Sequence, residues 1–136
     1  MLKVFAATAA ILAASLSHAA DLTVQVSDVK SADGNIMIAV FNSAGDFLKK
    51  PVAGTQGAAS AAGTTVVIKD LPAGDYALVV YHDANGNGKL DKNLMGIPTE
   101  DYGFSNNASG KFGPPSFEAA RFTLAAAGST AKISLK

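Results

Sequence analysis

The sequence predicts an all-β protein, an antiparallel β-sandwich of about seven strands with one long ordered loop. Three observations lead there. The apolar runs are short, rich in β-branched and aromatic residues, and separated by Gly, Pro, Asn and Asp. Several of them alternate apolar and polar residues with a period of two. The one Ala-rich stretch that resembles a helix, "GTQGAASAAG", is broken by glycines and reads as a loop.

The elements follow in order. In "LTVQVSDV", Leu22, Val24 and Val26 face one way while Thr23, Gln25 and Ser27 face the other, as in a half-buried strand. "GNIMIAVFN" is apolar on both faces and reads as a central strand. "FLKKPVAGTQ" is irregular, with Phe47 and Leu48 expected against the core. "TTVVIKDL" is a third strand, and "PAGDYALVVYHD" a fourth, entered through a turn at Pro72-Ala73-Gly74-Asp75. At the end, "ARFTLA" and "TAKISLK" flank Ala126-Ala127-Gly128-Ser129 and read as a closing hairpin. Ala120, Phe122 and Leu124 would point inward from its first strand, and Ala131, Ile133 and Leu135 from its second. A seventh strand is expected within the middle segment.

The chain opens "MLKVFAATAAILAASLSHAAD": one lysine, an apolar run of about 13 residues, then small residues. This is the layout of a Sec-type secretory signal peptide, and the run is shorter than the roughly 20 residues that span a bilayer. Residues 1–19 are therefore expected to be cleaved, leaving a single β-sandwich domain at 20–136, exported to the periplasm or beyond the cell and not inserted in the membrane. With 11 basic and 11 acidic residues the chain carries no net charge, and losing Lys3 moves it one unit negative. Such a balance gives no electrostatic grip on nucleic acid or on an anionic membrane. The chain has no cysteine, which excludes thiol catalysis, disulfides and Cys-type zinc sites. Of its two histidines only His82 survives loss of the leader, so one chain cannot build a multi-histidine metal centre.

Loop 83–118 is too long for an ordinary connection, and it is not composed like a disordered one. It carries Leu90, Leu94, Met95, Ile97, Tyr102, Phe104, Phe112 and Phe117. Tyr102, Phe104, Phe112 and Phe117 are expected to form a satellite core holding it to the sandwich. Pro114-Pro115-Ser116-Phe117-Glu118 reads as the start of a helical turn capped by Ser116.

The loop begins "HDANGNGKLDKNL". Asp83, Asn85 and Asn87 stand at positions one, three and five of an EF-hand-like pattern, with Gly88 at six, the Lys89 carbonyl at seven and Asp91 at nine. Alternate oxygens converge on one ion in such a loop, and the glycine permits the sharp turn. Position twelve is Leu94, where a bidentate carboxylate belongs, so Glu100 or Asp101 would have to return to complete the shell. Two readings stand side by side: a calcium loop with Asp83, Asn85, Asn87, Lys89 and Asp91 as ligands, or a polar turn in which the two aspartates hold backbone amides.

His82 shares a strand face with Tyr76, Leu78 and Val80, at the rim of the expected core. As a general base, assisted by Glu100 or Asp101, it would make the protein a small periplasmic hydrolase. A Ser105–His82–Asp101 triad has no nucleophile elbow behind it, and a carboxylate pair of Glu100 and Asp91 has no supporting pattern.

The segment from Leu71 to Leu124, carrying "GDYALVVYHDANGNGKLD", "GIPTEDYGFSNN" and "GPPSFEAARF", resembles the DUF2141 family of exported bacterial proteins. Its first part is also similar to transthyretin-like and Cna B-type sandwiches. The resemblance implies an immunoglobulin-like or prealbumin-like sandwich and supplies no activity. The chain lacks the histidine and arginine set of transthyretin-like hydrolases. The leading expectation is a monomeric, non-enzymatic binding or structural module of the cell envelope. Its loop is stabilised by Ca2+ or by its own polar groups. Glu100, Tyr102, Ser105, Asn106 and His82 would face an envelope protein or glycan.

Overall fold

A computed structural model describes residues 19–136. The expected signal peptide, apart from Ala19, lies outside the described residues. Eight strands build two packed sheets: β1 (Ala19–Ser27), β2 (Asn35–Phe41), β3 (Ala53–Ala58), β4 (Thr64–Pro72), β5 (Gly74–Asp83), β6 (Tyr102–Phe104), β7 (Phe122–Leu124) and β8 (Ser129–Ser134). One sheet has the order β4-β1-β8 and the other β3-β2-β5-β6, with β7 also on β5. The pairing is antiparallel except for β1 and β8, which run parallel.

The period-two pattern delivers the core. Leu22, Val24 and Val26 from β1 meet Ile36, Ile38 and Val40 from β2, Leu78 and Val80 from β5, Leu124 from β7 and Ile133 from β8. Leu22, Ile36, Leu78, Leu124 and Ile133 are almost wholly shielded from water. Each contributes about 1.5–3 kcal/mol relative to an exposed position.

β2 and β5 are apolar on both faces because the second face of their sheet is also covered over part of its length. The outward residues Phe41 and Ala77 pack with Phe47, Phe104, Phe117 and Ala120 in a second cluster, which Ala39, Val79 and Tyr102 join. Phe47 sits at its centre, with ring centroids 5.3 Å from Phe41, 5.8 Å from Phe117 and 6.4 Å from Phe104. Phe117 and Ala120 arrive on the single-turn helix α1 (Phe117–Ala120), whose Ser116 cap accepts the Ala119 amide at 3.2 Å. This is the satellite core the loop aromatics predict, with one exception. Phe112 is fully exposed, because the glycines and prolines around it let the chain turn outward.

Four further expectations are corrected. Part of "GTQGAASAAG" is not loop but the edge strand β3, paired along its length with β2. Its backbone ladder holds it, not its side chains, and a Cβ at Gly57 would lie 2.7 Å from Val66 Cγ2 on β4. The seventh strand expected in the middle segment is β6, and β3 makes the eighth. β7 and β8 are not a hairpin: Gly74–Tyr76 of β5 takes β7, β1 takes β8, and the turn between them crosses from one sheet to the other. Ala120 is inward as expected, but on α1 and not on a strand. Leu48 is half exposed at φ 63°, leaving only Phe47 of that pair in the core.

Candidate functional site

β5 brings the chain to the loop. Its last rung pairs Asn35 with Asp83, so Asp83 enters the loop from a fixed strand and is only 2% exposed. Its Oδ1 accepts the Asn87 amide at 3.2 Å and its Oδ2 the Gly88 amide at 2.8 Å. Two local turns follow, in which Asn85 Oδ1 accepts the Asn87 amide and Asn87 Oδ1 the Lys89 amide. Gly86 and Gly88 supply the positive φ values, 70° and 75°, that let the chain close so tightly. Asn85 Nδ2 and Asn87 Nδ2 then donate to the two oxygens of Asp91, each at 2.6 Å.

The spacing thus brings Asp83, Asn85, Asn87 and Asp91 into one linked network. Glu100 returns to it: Oε1 accepts the Asp91 amide at 2.8 Å and Oε2 the Ala84 amide at 3.2 Å. Tyr81 stands beside this network and donates its hydroxyl proton to Gly88 O at 3.1 Å. Burial, then the charges of Asp83 and Glu100, push its phenol above the ordinary value of 10.0.

The side-chain groups of Asp83, Asn85, Asn87, Asp91 and Glu100 that could ligate a metal are all oxygens, the chemistry a hard cation takes. In the arrangement seen, however, the asparagine oxygens serve backbone amides and their nitrogens face Asp91. Among the described residues no three carboxylate or imidazole groups gather as a metal centre does.

The other candidates are spent on structure. His82 is 5% exposed, and its Nε2–H donates to Asp33 O at 2.6 Å, the carbonyl fixing the tautomer. Ser105 is 1% exposed; its Oγ accepts the Leu78 amide at 2.9 Å and donates to Ala120 O at 2.5 Å. Neither faces a partner as the sequence reading expects, since inward strand positions and the loop's return over β5 bury both. Ser105 meets β5 at Leu78, four residues from His82, which is roughly 13 Å at about 3.3 Å per residue. Asp101 is ion-paired with Lys30 at 3.0 Å, and its carbonyl accepts the His82 amide. No Ser–His–carboxylate set is assembled from these residues.

Asn106 lies on the surface at φ 60°, but its Nδ2 donates to Ala119 O and to Arg121 O. Tyr102 is half-buried, its ring edge-on to Phe104 at 5.8 Å.

Sequence reasoning missed three organising residues. Asn93 folds the next turn, its Oδ1 accepting the Met95 amide at 2.9 Å and the Ile97 amide at 3.1 Å. The Asn-x-x-Gly run to Gly96 is a turn signal that marks it. Lys30 and Asp33, which hold Asp101 and His82, come from the β1–β2 connection and carry no local signal.

No curated protein and no solved structure matches the chain. A family model described as "Uncharacterized protein conserved in bacteria (DUF2141)" matches residues 24–132, which take in all but the ends of the sandwich and the whole of the loop. On that match the chain belongs to the DUF2141 family.

Proposed function

We propose that this protein is an exported, non-enzymatic binding or structural module of the bacterial cell envelope, with the loop from Asp83 to Phe117 as its working face. One observation carries the reading: the loop's carboxylates are committed to holding its own backbone, Asp83 on the Asn87 and Gly88 amides and Glu100 on the Ala84 and Asp91 amides. A long loop ordered this way is built to present a fixed surface. The buried, hydrogen-bonded His82 and Ser105 favour the module over a hydrolase using His82 with Glu100 or Asp101.

Calcium is the stabiliser this loop would take. Asp83 and Asp91 keep free lone pairs, the Lys89 carbonyl stands at position seven, and turning the amides of Asn85 and Asn87 would bring their oxygens inward. Glu100 supplies the carboxylate that Leu94 does not. The test is thermal unfolding in EDTA and in millimolar Ca2+. A ligand at about 100-fold over its Kd adds roughly 2.7 kcal/mol to the folded state, which for a domain of this size raises Tm by several degrees. Asp91→Asn keeps the side-chain shape and removes a charge, so it should abolish the calcium shift. No shift in the native protein would leave the loop a polar turn.

A further inference from the structure

The loop carries the same dipeptide twice in succession, as Asn85-Gly86 and Asn87-Gly88. An asparagine followed by glycine is chemically labile. The glycine nitrogen, once it has lost its proton, attacks the side-chain Cγ, and the glycine has no Cβ to obstruct the approach. All four residues are exposed, so water and hydroxide reach them. A Cβ built on Gly86 or on Gly88 would meet nothing within 4 Å, so the space around both is open. Both asparagine oxygens accept an amide N–H, Asn85 Oδ1 from Asn87 and Asn87 Oδ1 from Lys89, which stabilises the oxygen as Cγ becomes tetrahedral. In sequence, exposure and activation of the carbonyl the two pairs are alike.

The attacking nitrogens separate them. The Gly88 N–H donates to Asp83 Oδ2 at 2.8 Å. That carboxylate is 2% exposed and fixed at the end of β5, and its negative charge opposes the charge that attack would place on the Gly88 nitrogen. Attack on Asn87 Cγ must first break this charge-assisted bond. The Gly86 N–H meets only a neutral carbonyl, Asp83 O, at 3.3 Å. Asn85 therefore faces the freer nucleophile.

We propose that Asn85 is a self-modification site, converted to aspartate while Asn87 is spared, and that the conversion makes the loop depend on a divalent cation. A bond forms from Gly86 N to Asn85 Cγ, and the Cγ–Nδ2 bond breaks. The proton lost by Gly86 N passes through solvent to Nδ2, which leaves as ammonia, and a cyclic succinimide remains. Water then opens the ring at Cγ to give aspartate, or at the backbone carbonyl to give isoaspartate. Water is consumed and ammonia released, with no oxidant or reductant. In the unmodified loop Asn85 Nδ2 donates to Asp91 Oδ2 at 2.6 Å. Aspartate at position 85 sets an oxygen against that oxygen, and the two carboxylates repel unless a cation lies between them. It also adds a carboxylate to Asp83, Asp91 and Glu100, and calcium affinity rises with ligand charge. The cation dependence rests on the reading of this loop as one that calcium enters; the modification itself does not.

The native chain is held in warm, mildly alkaline buffer with EDTA, once folded and once in urea, and the peptides that contain Asn85 and Asn87 are mapped by mass spectrometry. In urea both asparagines should convert at similar rates. In the folded protein Asn85 should convert, and Asn87 should be slower by about tenfold or more, the margin of a charge-assisted hydrogen bond over a neutral one. Equal rates at the two positions in the folded protein overturn the proposal. So does an Asn85 that stays intact in the folded protein while the chain in urea is converted. Asn85→Asp tests the consequence, by thermal unfolding in EDTA and in millimolar Ca2+. The variant should melt below the native protein in EDTA and gain more from calcium than the native protein does. A calcium response no larger than the native one, or a variant unfolded in both solutions, overturns the cation dependence. A response in the variant with none in the native protein would refute calcium binding by the native loop and support this proposal. The mapping in EDTA needs no metal, so the two ideas fail separately.

Discussion

Replacing Ser105 with Ala removes one oxygen from the protein and should destabilise it several times more than a typical surface change of about 0.5 kcal/mol or less. One edge of β5 is paired with β2 from Ala77 to Asp83. The other pairs with β7 at Gly74–Tyr76 and with β6 at Val79–Tyr81, and Leu78 falls near the break between the two partners. Ser105 Oγ fills that break by accepting the Leu78 amide, and its own O–H donates to Ala120 O at the end of α1. At 1% exposure no water replaces it. Ser105→Ala therefore leaves a buried N–H and a buried C=O without partners, at about 1–3 kcal/mol each. Sharing some relaxation between them gives a loss of about 2–4 kcal/mol, against a total stability of about 5–15 kcal/mol for a domain. Urea unfolding followed by circular dichroism reads it directly, as a lower midpoint at unchanged slope. Ser105→Cys, whose thiol is a weak donor and acceptor, should fall between the two. A loss below about 0.5 kcal/mol for Ser105→Ala would refute the argument, since the hydroxyl would then not be closing the sheet.

Two further outcomes follow from the loop's surroundings. Tyr81 has a folded-state pKa above its unfolded value, so its contribution is constant below about pH 10 and is lost as pH rises through the folded pKa, where the unfolded chain ionises first. Tyr81→Phe should accordingly lose less Tm than the native protein between pH 9 and pH 11, and absorbance titration at alkaline pH should show one late-ionising tyrosine disappear in the variant. Gly34 has φ 67°, and a Cβ there would lie 2.0 Å from Asp83 O. Gly34→Ala should therefore cost at least 2 kcal/mol in urea unfolding, and amide exchange should quicken at Asn87 and Gly88, whose partner Asp83 would be displaced.

The sandwich was legible because its physics is local. Alternation along Leu22–Val26 and the two-faced apolar runs of Asn35–Phe41 and Gly74–Asp83 name the buried faces without knowledge of any partner. The polar network of the loop was legible for a similar reason: Asp83, Asn85, Asn87 and Asp91 lie within nine positions, and glycines fix the turns between them. β3 was not legible, because an edge strand of Ala, Gly, Thr and Gln holds its place through backbone bonds to β2, which every sequence can make.

Tertiary structure alone decided how the distant residues are used. Nothing near Ser105 announces that Leu78 and Ala120 will need its hydroxyl, and nothing near His82 announces the Asp33 carbonyl. Both residue types suit chemistry as well as structure, and only the long-range packing that buries them selects one role. The exposure of Leu94, Met95 and Ile97 has the same origin. Apolar composition says a side chain gains by leaving water, but whether the chain reaches its own core depends on where Asn93 turns it, and here the turn points away.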